Sequence, residues 1–546
     1  MEILSVVEMR ELERQADMKG LRYAQMLQNA GRGAAHVIRT RISVDRQGRE
    51  HRVLVLVGSG NNGGDGLVCA TALAASGAHV RCWLLQPRPE SDAVFADAQA
   101  AKIEMAVGDL DALREWLADA TAIVDALIGT GVSRPIDGKL RDALREVRGR
   151  SEAFSQSNIQ PTTCIALDGP TGMNYDTGAL DPATVPADVT ITFHAPKRGH
   201  YCYPAAEACG ELIVIPIGIE AVETVAMGDW RLKATLQPAI SHLELVEPVA
   251  LADDERVRAL LPSRKLDSNK GSHGRAVVAG GSSDYIGAPI MSAMAAYRIG
   301  AGLVALAVPD EVKAAAAQAL REAIFVSRNA NVATSLLDFV SKIKDGAAVL
   351  IGPGLGLSEA TTAFVDTLTR ETGLRALPLK GLVCDADALN TLAKMPGWAA
   401  LLPPLTVLTP HAGEMSRLTD MTIAEVQADR IGNALRFSRK WGHVVLLKGA
   451  YTVIASPDGR GAVLPFANSA MATAGTGDVL AGCIVGLLAQ GMPPFEAAVC
   501  GGYLHGAAGE RWRARHGDAG LLAGDLLPLL PDVMRDLKRV SEQLSN

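Results

Sequence analysis

Apolar residues in this chain alternate between two rhythms. Short continuous runs, HRVLVLV (51–57), HVRCWLLQ (79–86), CIALD (164–168), VTITF (189–193) and ELIVIPIGI (211–219), have the length and β-branched character of strands buried on both faces. Between them lie segments with helical spacing, LVCATALAASG (67–77) the clearest. Residues 5–40 read as two helices, the second holding QMLQNAG (25–31). The rhythm breaks at QPAISHLELVEPVALADDE (237–255), which places a domain junction near 237–250. It resumes with strands at RAVVAGG, LVALAV, AAVLIG, LVCD, LTVLT and HVVLLK, and a helix at IMSAMAAYRIGAG (290–302). Two α/β domains are expected: an N-terminal Rossmann-like three-layer α/β/α domain over 1–240, and a second α/β domain over 241–546.

Polar residues collect where these strands end. The first strand ends in Gly58-Ser59-Gly60-Asn61-Asn62-Gly63-Gly64-Asp65-Gly66, read as a glycine-rich loop. Gly58, Gly60 and Gly63 satisfy GxGxxG, but the second strand closes at Gln86, without the acid that a dinucleotide fingerprint places there for ribose. The doubled Asn61-Asn62 is the distinctive part: it is either a self-bonded turn or a pair of amide ligands. Asp125 precedes the turn Gly129-Thr130-Gly131, and Asp168 precedes Gly169-Pro170-Thr171-Gly172. Parallel sheets bind ligands beyond the carboxyl ends of their strands, so these loops should face one crevice.

In the second half the informative stretch is NSAMATAGTGDVLAG (468–482). Small residues Ala474, Gly475 and Gly477 surround Asp478, and an apolar run follows. That is a glycine-rich turn feeding a buried helix, whose first N–H groups can hold a phosphate. Asp478 is either an acid favoured by the helix dipole or a proton acceptor beside an anion hole. His411 and Lys448 also stand at strand ends, as a surface loop histidine and a solvated lysine or as ligand contacts.

Composition narrows the classes. The chain is 48% hydrophobic and 21% charged, which is globular, and its net charge of −7 argues against a nucleic-acid binder. Arg145, Arg148 and Arg150 read as a solvated helix end. No cysteines form a CxxC pair, so the eight read as buried reduced thiols in a cytoplasmic protein. The uncharged run 479–495 is broken by glycines and prolines and reads as a core helix, with no membrane segment expected.

The second half resembles the ribokinase-like fold, and its KGSHG, GAP, GPGLG, DADAL, TPHAGE and MATAGTGDVLAG motifs together look like the NAD(P)H-hydrate dehydratase family. The first half, with VGSGNNGGDG, DALIGTG and DGPTG, looks like NAD(P)H-hydrate epimerase. In this order they resemble the bifunctional NAD(P)H-hydrate repair enzymes of bacteria over nearly the whole chain. Two departures are small: Thr171 stands where the family usually has Ser, and Gln28 where it has an acid.

The resemblance implies metabolite repair of NADH or NADPH hydrated at C6 (NADHX, NADPHX). The first domain would epimerise C6, and the second would dehydrate the S epimer with ADP as phosphoryl donor, giving AMP and phosphate. Asp478 would be the general base and Asp168 the acid/base of epimerisation. Epimerase substrate contacts would be Asn61, Asn62, Gly63, Gly64, Asp65, Gly129, Thr130, Gly131, Val132, Ser133, Arg134, Pro135 and Asp168, with potassium at Asn62, Asp125 and Thr171. Ala288, Gly356, His411 and Asp478 would contact the hydrate in the dehydratase. Lys448, Gly449, Ala450, Tyr451, Thr452 and Gly477 would contact the nucleotide, with Mg²⁺ neutralising phosphate charge. A homo-oligomer is the family's usual state. The rivals are a ribokinase-like vitamin or sugar kinase with an accessory first domain, a non-catalytic nucleotide sensor, and a plain NAD-dependent dehydrogenase.

Overall fold

The computed structural model describes residues 1–41, 51–131, 135–154, 162–219, 249–326, 332–343, 345–370 and 372–544. The chain divides into two units, one of Glu2–Thr224 and one of Val225–Asn546 together with Met1. The expected junction at 237–250 falls almost wholly within residues 220–248, outside the described residues, as do Val132, Ser133 and Arg134.

The N-terminal unit carries a seven-stranded sheet. Its strands are β1 (Arg52–Val57), β2 (His79–Leu84), β3 (Glu104–Val107), β4 (Ala122–Ala126), β5 (Thr163–Leu167), β6 (Val189–Phe193) and β7 (Glu211–Ile215). They lie in the order β3-β2-β1-β4-β5-β6-β7, every pair parallel. The order reverses between β1 and β4, the switch point where such sheets open a crevice. Helices at Val6–Met18 and Tyr23–Arg41 are where the pattern puts them. Ser5 and Glu8 close the first with a reciprocal capping box. β3 was not legible: EMAV has half-buried and exposed residues and no apolar run.

One expectation fails here. The Asn61–Gly66 stretch is not a loop: helix α1 runs Asn61–Ala75 and begins directly after Gly60. Its glycines serve close packing. A Cβ on Gly66 would stand 2.6 Å from the Ala126 Cβ, and one on Gly63 2.0 Å from the Gly58 carbonyl oxygen. Small residues therefore let the helix start flush against the strand ends, which propensity alone argues against. Of the arginine cluster, Arg145 is solvated as expected, whereas Arg148 and Arg150 are half-buried. The cluster lies along the helix Gly138–Phe154, with Arg148 donating to the carbonyls of Pro182 and Thr184 and Arg150 to that of Ala118.

In the C-terminal unit the strands are β8 (Val249–Leu251), β9 (Arg275–Ala279), β10 (Leu303–Ala307), β11 (Ile324–Phe325), β12 (Ala347–Ile351), β13 (Leu379–Cys384), β14 (Val407–Leu408), β15 (Val444–Leu447), β16 (Val453–Ala455) and β17 (Gly461–Val463). Their order is β8-β17-β16-β15-β14-β13-β12-β9-β10-β11. From β15 through β11 the pairs are parallel; β15, β16 and β17 form an antiparallel meander. Gly287-Ala288-Pro289, just before the helix expected at 290–302, forms the first turn of helix α2 (Gly287–Arg298), where proline costs no hydrogen bond. Helix α3 (Thr476–Ala489) is buried from Val479 onward and packs on α2 through glycines. A Cβ at Gly482 would lie 2.2 Å from the Ser292 carbonyl oxygen. Helix α4 (Pro494–His516) flanks it, and both contribute to one apolar core with α2.

Candidate active sites

In the N-terminal unit, neighbouring strands β1, β4 and β5 bring three loops together. Gly58 donates its N–H to the Ala126 carbonyl at 3.0 Å, and a Cβ there would meet the Leu127 oxygen at 1.7 Å, so only glycine fits. Arg88, just beyond β2, stands near where the fingerprint's acid would be. It donates to the carbonyls of Gly58 (2.7 Å) and Gly60 (3.2 Å), bracing the turn rather than a ribose. Across the strand ends, Thr171 donates its hydroxyl to Asp125 Oδ1 (2.7 Å) and its N–H to Oδ2 (2.8 Å). Asn62 is buried beside Gly129, and neither its amide oxygen nor its amide nitrogen has a hydrogen-bond partner among the described residues. A buried amide without partners costs a few kcal/mol. An oxygen-seeking cation would satisfy Asn62 Oδ1, so Asn62, Asp125 and Thr171 fit a hard-cation donor set.

Asp168 follows β5 with φ of 64°, a left-handed backbone. Its Oδ1 accepts from Lys197 Nζ at 2.6 Å and Thr192 Oγ1 at 2.8 Å, and its carbonyl meets His200 Nε2 at 2.8 Å. Burial alone would raise the Asp168 pKa, but the Lys197 ammonium, 1% exposed, and the hydroxyl bond hold it below the usual range. His200 accepts from the Lys197 N–H through Nδ1; burial and Lys197 lower its pKa to about 4, so it is neutral. Asp65, on α1 and 9% exposed, shifts the other way. Burial, then the charges of Asp168 and Glu13, push it well above the carboxylate range. Lys197 and His200 were not assigned from sequence; a lysine in the loop after an apolar strand, FHAPKRGH, was the available signal.

The C-terminal cleft lies at the carboxyl ends of β9, β12, β13, β14 and β15. Gly475 caps α3 with φ of 89°, and a Cβ there would meet Met291 Cε at 2.7 Å. Asp478 therefore sits inside the first turn of α3, among N–H groups that have no intrahelical partner. Burial raises its pKa, with Asp385 next, to about 7. Ser292 of α2 donates to the Asp478 carbonyl at 2.9 Å, which ties the Ala288 turn to it. Gly354 packs on that turn, a Cβ there standing 3.1 Å from the Ala288 Cβ, and the Gly356 N–H donates to Asp387 at 2.8 Å.

Lys448 is no solvated lysine. Its ammonium is 2.7 Å from Asp385 Oδ1 and 3.5 Å from Glu414 Oε2. It points at the anion hole, since a Cβ on Gly477 would be 3.6 Å from its Nζ. Burial would lower its pKa, but Asp385 and Glu414 raise it, so it remains charged. Asp385, 1% exposed, is held by Thr409 at 2.8 Å. His411 caps the helix Ala412–Thr419: its Nδ1 accepts the N–H groups of Gly413 and Glu414, leaving Nε2 toward the cleft side of Glu414. In the turn Lys448–Thr452, Thr452 Oγ1 donates to the Gly449 carbonyl, and buried Arg430 donates to the carbonyls of Leu447 and Lys448. Asp385 and Glu414 are the residues sequence reasoning left unassigned; their signal was a strand-end DAD and a glutamate three residues past a histidine.

A doubly wound unit with a buried Asp–Lys pair and a second α/β unit whose glycine-capped helix start carries a carboxylate of raised pKa have the build of a two-domain enzyme. Residues 276–532 match the family model described as NAD(P)H-hydrate dehydratase, and residues 23–199 the one described as YjeF-related protein N-terminus. Bifunctional NAD(P)H-hydrate repair enzymes align along the chain. That of Thermofilum pendens is 34% identical over all of this chain and 98% of its own, and that of Moorella thermoacetica 36% over the same shares. An ADP/ATP-dependent NAD(P)H-hydrate dehydratase from Bacillus subtilis, co-crystallised with ATP and Mg²⁺, matches 53% of this chain and 99% of its own at 33% identity, TM-score 0.47. The chain belongs to the bifunctional NAD(P)H-hydrate repair enzymes. Its C-terminal, ribokinase-like half is the dehydratase and its N-terminal half the epimerase, and its function is metabolite repair.

Proposed function

We propose that dehydration runs through Asp478 and a phosphorylated intermediate, with ADP as donor. Hydroxide is a poor leaving group; phosphorylating the C6 hydroxyl first makes it a good one. Asp478, with a pKa of about 7, accepts the hydroxyl proton as base. The N–H groups of Gly475, Thr476 and Gly477 and the Lys448 ammonium stabilise the transferring phosphoryl. The product phosphate ester then eliminates, restoring the dihydronicotinamide. The single observation that carries this reading is the placement of Asp478 inside the anion hole, with a pKa that makes it a base near neutral pH. Mg²⁺ would neutralise the nucleotide phosphates. Ala288, Gly356 and His411 line the hydrate side; Lys448 to Thr452 and Gly477 line the nucleotide side.

Epimerisation belongs to Asp168, held ionised by Lys197. A potassium ion held by Asn62, Asp125 and Thr171 would satisfy the unpartnered Asn62 amide oxygen and offset the charge of the half-buried Asp125. The substrate contacts Asn61–Asp65, Gly129–Gly131 and Pro135, and by the family resemblance Val132, Ser133 and Arg134. The domains are taken as 1–240 and 241–546, and the protein as a cytoplasmic homo-oligomer. Its eight cysteines are free thiols, and among the described residues no helix is long and apolar enough to cross a membrane.

Product accounting tests the chemistry. Incubated with S-NADHX, ADP and Mg²⁺, the chain should release AMP, free phosphate and NADH in equal amounts. A stable phosphoester, with no NADH returned, would contradict it and fit the small-molecule kinase that the full-length relatives do not favour.

A further inference from the structure

We propose that Asp65 is the proton donor that works opposite Asp168 in epimerisation, a role that rests on the epimerase reading above. Asn62 and Asp65 are three residues apart on α1, hence on one face, and both are buried at the crevice. Asn62 packs against Gly129, while Asp65 interacts with Asp168, Lys197 and Glu13. Among the described residues, no hydrogen bond is made by the Asp65 carboxyl, whereas Asp168 is bonded to Lys197 and Thr192. One lysine therefore serves two buried aspartates and is spent on Asp168. The environments drive them apart: Asp168 keeps its charge and Asp65 keeps its proton. A carboxylate and a carboxylic acid in one crevice are the two halves of an acid–base couple.

The reaction at C6 needs both halves. C6 carries a hydroxyl and is bonded to N1, so it is a hemiaminal carbon. Asp168 takes the hydroxyl proton; the C6–O bond becomes a carbonyl as the C6–N1 electron pair moves to nitrogen, which takes the proton of Asp65. Rotation about C5–C6 presents the other aldehyde face, N1 adds back, and both protons return. No atom or electron is gained or lost.

The groups facing Asp65 are Asp168 beyond β5, Lys197 beyond β6 and Glu13 on the first helix, so the test includes Glu13. Epimerisation of R-NADHX by the full chain with K⁺ is followed across pH for wild type, Asp65→Asn and Glu13→Gln, with thermal transitions recorded. The Asn variant is isosteric and keeps a donor. The expected result is a fall in kcat of about 100-fold, KM within about twofold, and loss of the alkaline limb in Asp65→Asn alone. Full kcat, a KM-only effect with an unchanged pH profile, or transfer of the limb to Glu13→Gln would overturn the assignment. A wild-type chain that never exceeds spontaneous epimerisation would instead overturn the epimerase reading beneath it.

Discussion

Asp478 and Asp168 are both aspartates at the end of a parallel sheet, the first half-buried and the second buried, yet they settle at opposite ends of the carboxylate scale. Asp168 has an ammonium at 2.6 Å; Asp478 has Asp385 as its second perturbing influence. Dehydration should therefore rise through about pH 7 as Asp478 ionises, with epimerisation already active well below that, as pH profiles of the two half-reactions would record. Asp478→Asn should lower dehydration by at least about 100-fold and spare epimerisation; Asp168→Asn should do the reverse. The sign for stability follows from linkage. Between the unfolded pKa near 4 and the folded value of about 7, the native chain holds a proton that the unfolded chain has lost. Stability from this group is thus lost as pH rises through that window. Asp478→Asn should raise Tm at pH 8, by on the order of 1–3 kcal/mol of stability, and leave it unchanged at pH 4.

Elements carry these residues through close packing that only small side chains permit. Gly58→Ala would push a methyl to within 1.7 Å of the Leu127 carbonyl oxygen and should cost about 3 kcal/mol or more, read as a fall in the denaturation midpoint. In the other unit, Asp385 at the end of β13 sets the position of Lys448 at the end of β15, with β14 between them. Asp385→Asn should raise the KM for ADP and shift the dehydration pH profile to lower pH, because it also removes a charge that raises Asp478. Legibility tracks burial here. Strands such as VLVLV and AAVLI are apolar on both faces and were plain in the sequence. β3, half-buried and exposed, was not; β17 is buried but only three residues long, too short to show a pattern. The Asn61 helix start and the α2 start were missed for a specific reason: glycine and proline read as loop by propensity, while here they let a helix begin against a strand. The candidate acids at strand ends were visible as single residues. Their partners, Lys197, Asp385 and Glu414, were not, because partnership is made by sheet order rather than by spacing.

At the scale of the molecule, each unit has its own sheet, its own apolar core and its own site, so two reactions are served by groups that do not overlap. Racemising C6 and dehydrating one epimer are complementary: epimerisation feeds the isomer that the dehydratase cannot use into the one it can. The most direct measurement is the return of NADH absorbance from a mixture of both NADHX epimers with ADP, Mg²⁺ and K⁺. The wild-type chain should recover all of the NADH faster than spontaneous epimerisation allows. Asp168→Asn should stop its fast phase at the S fraction, and Asp478→Asn should recover none. Full recovery without nucleotide, or identical time courses for wild type and Asp168→Asn, would contradict the division of labour between the two sites.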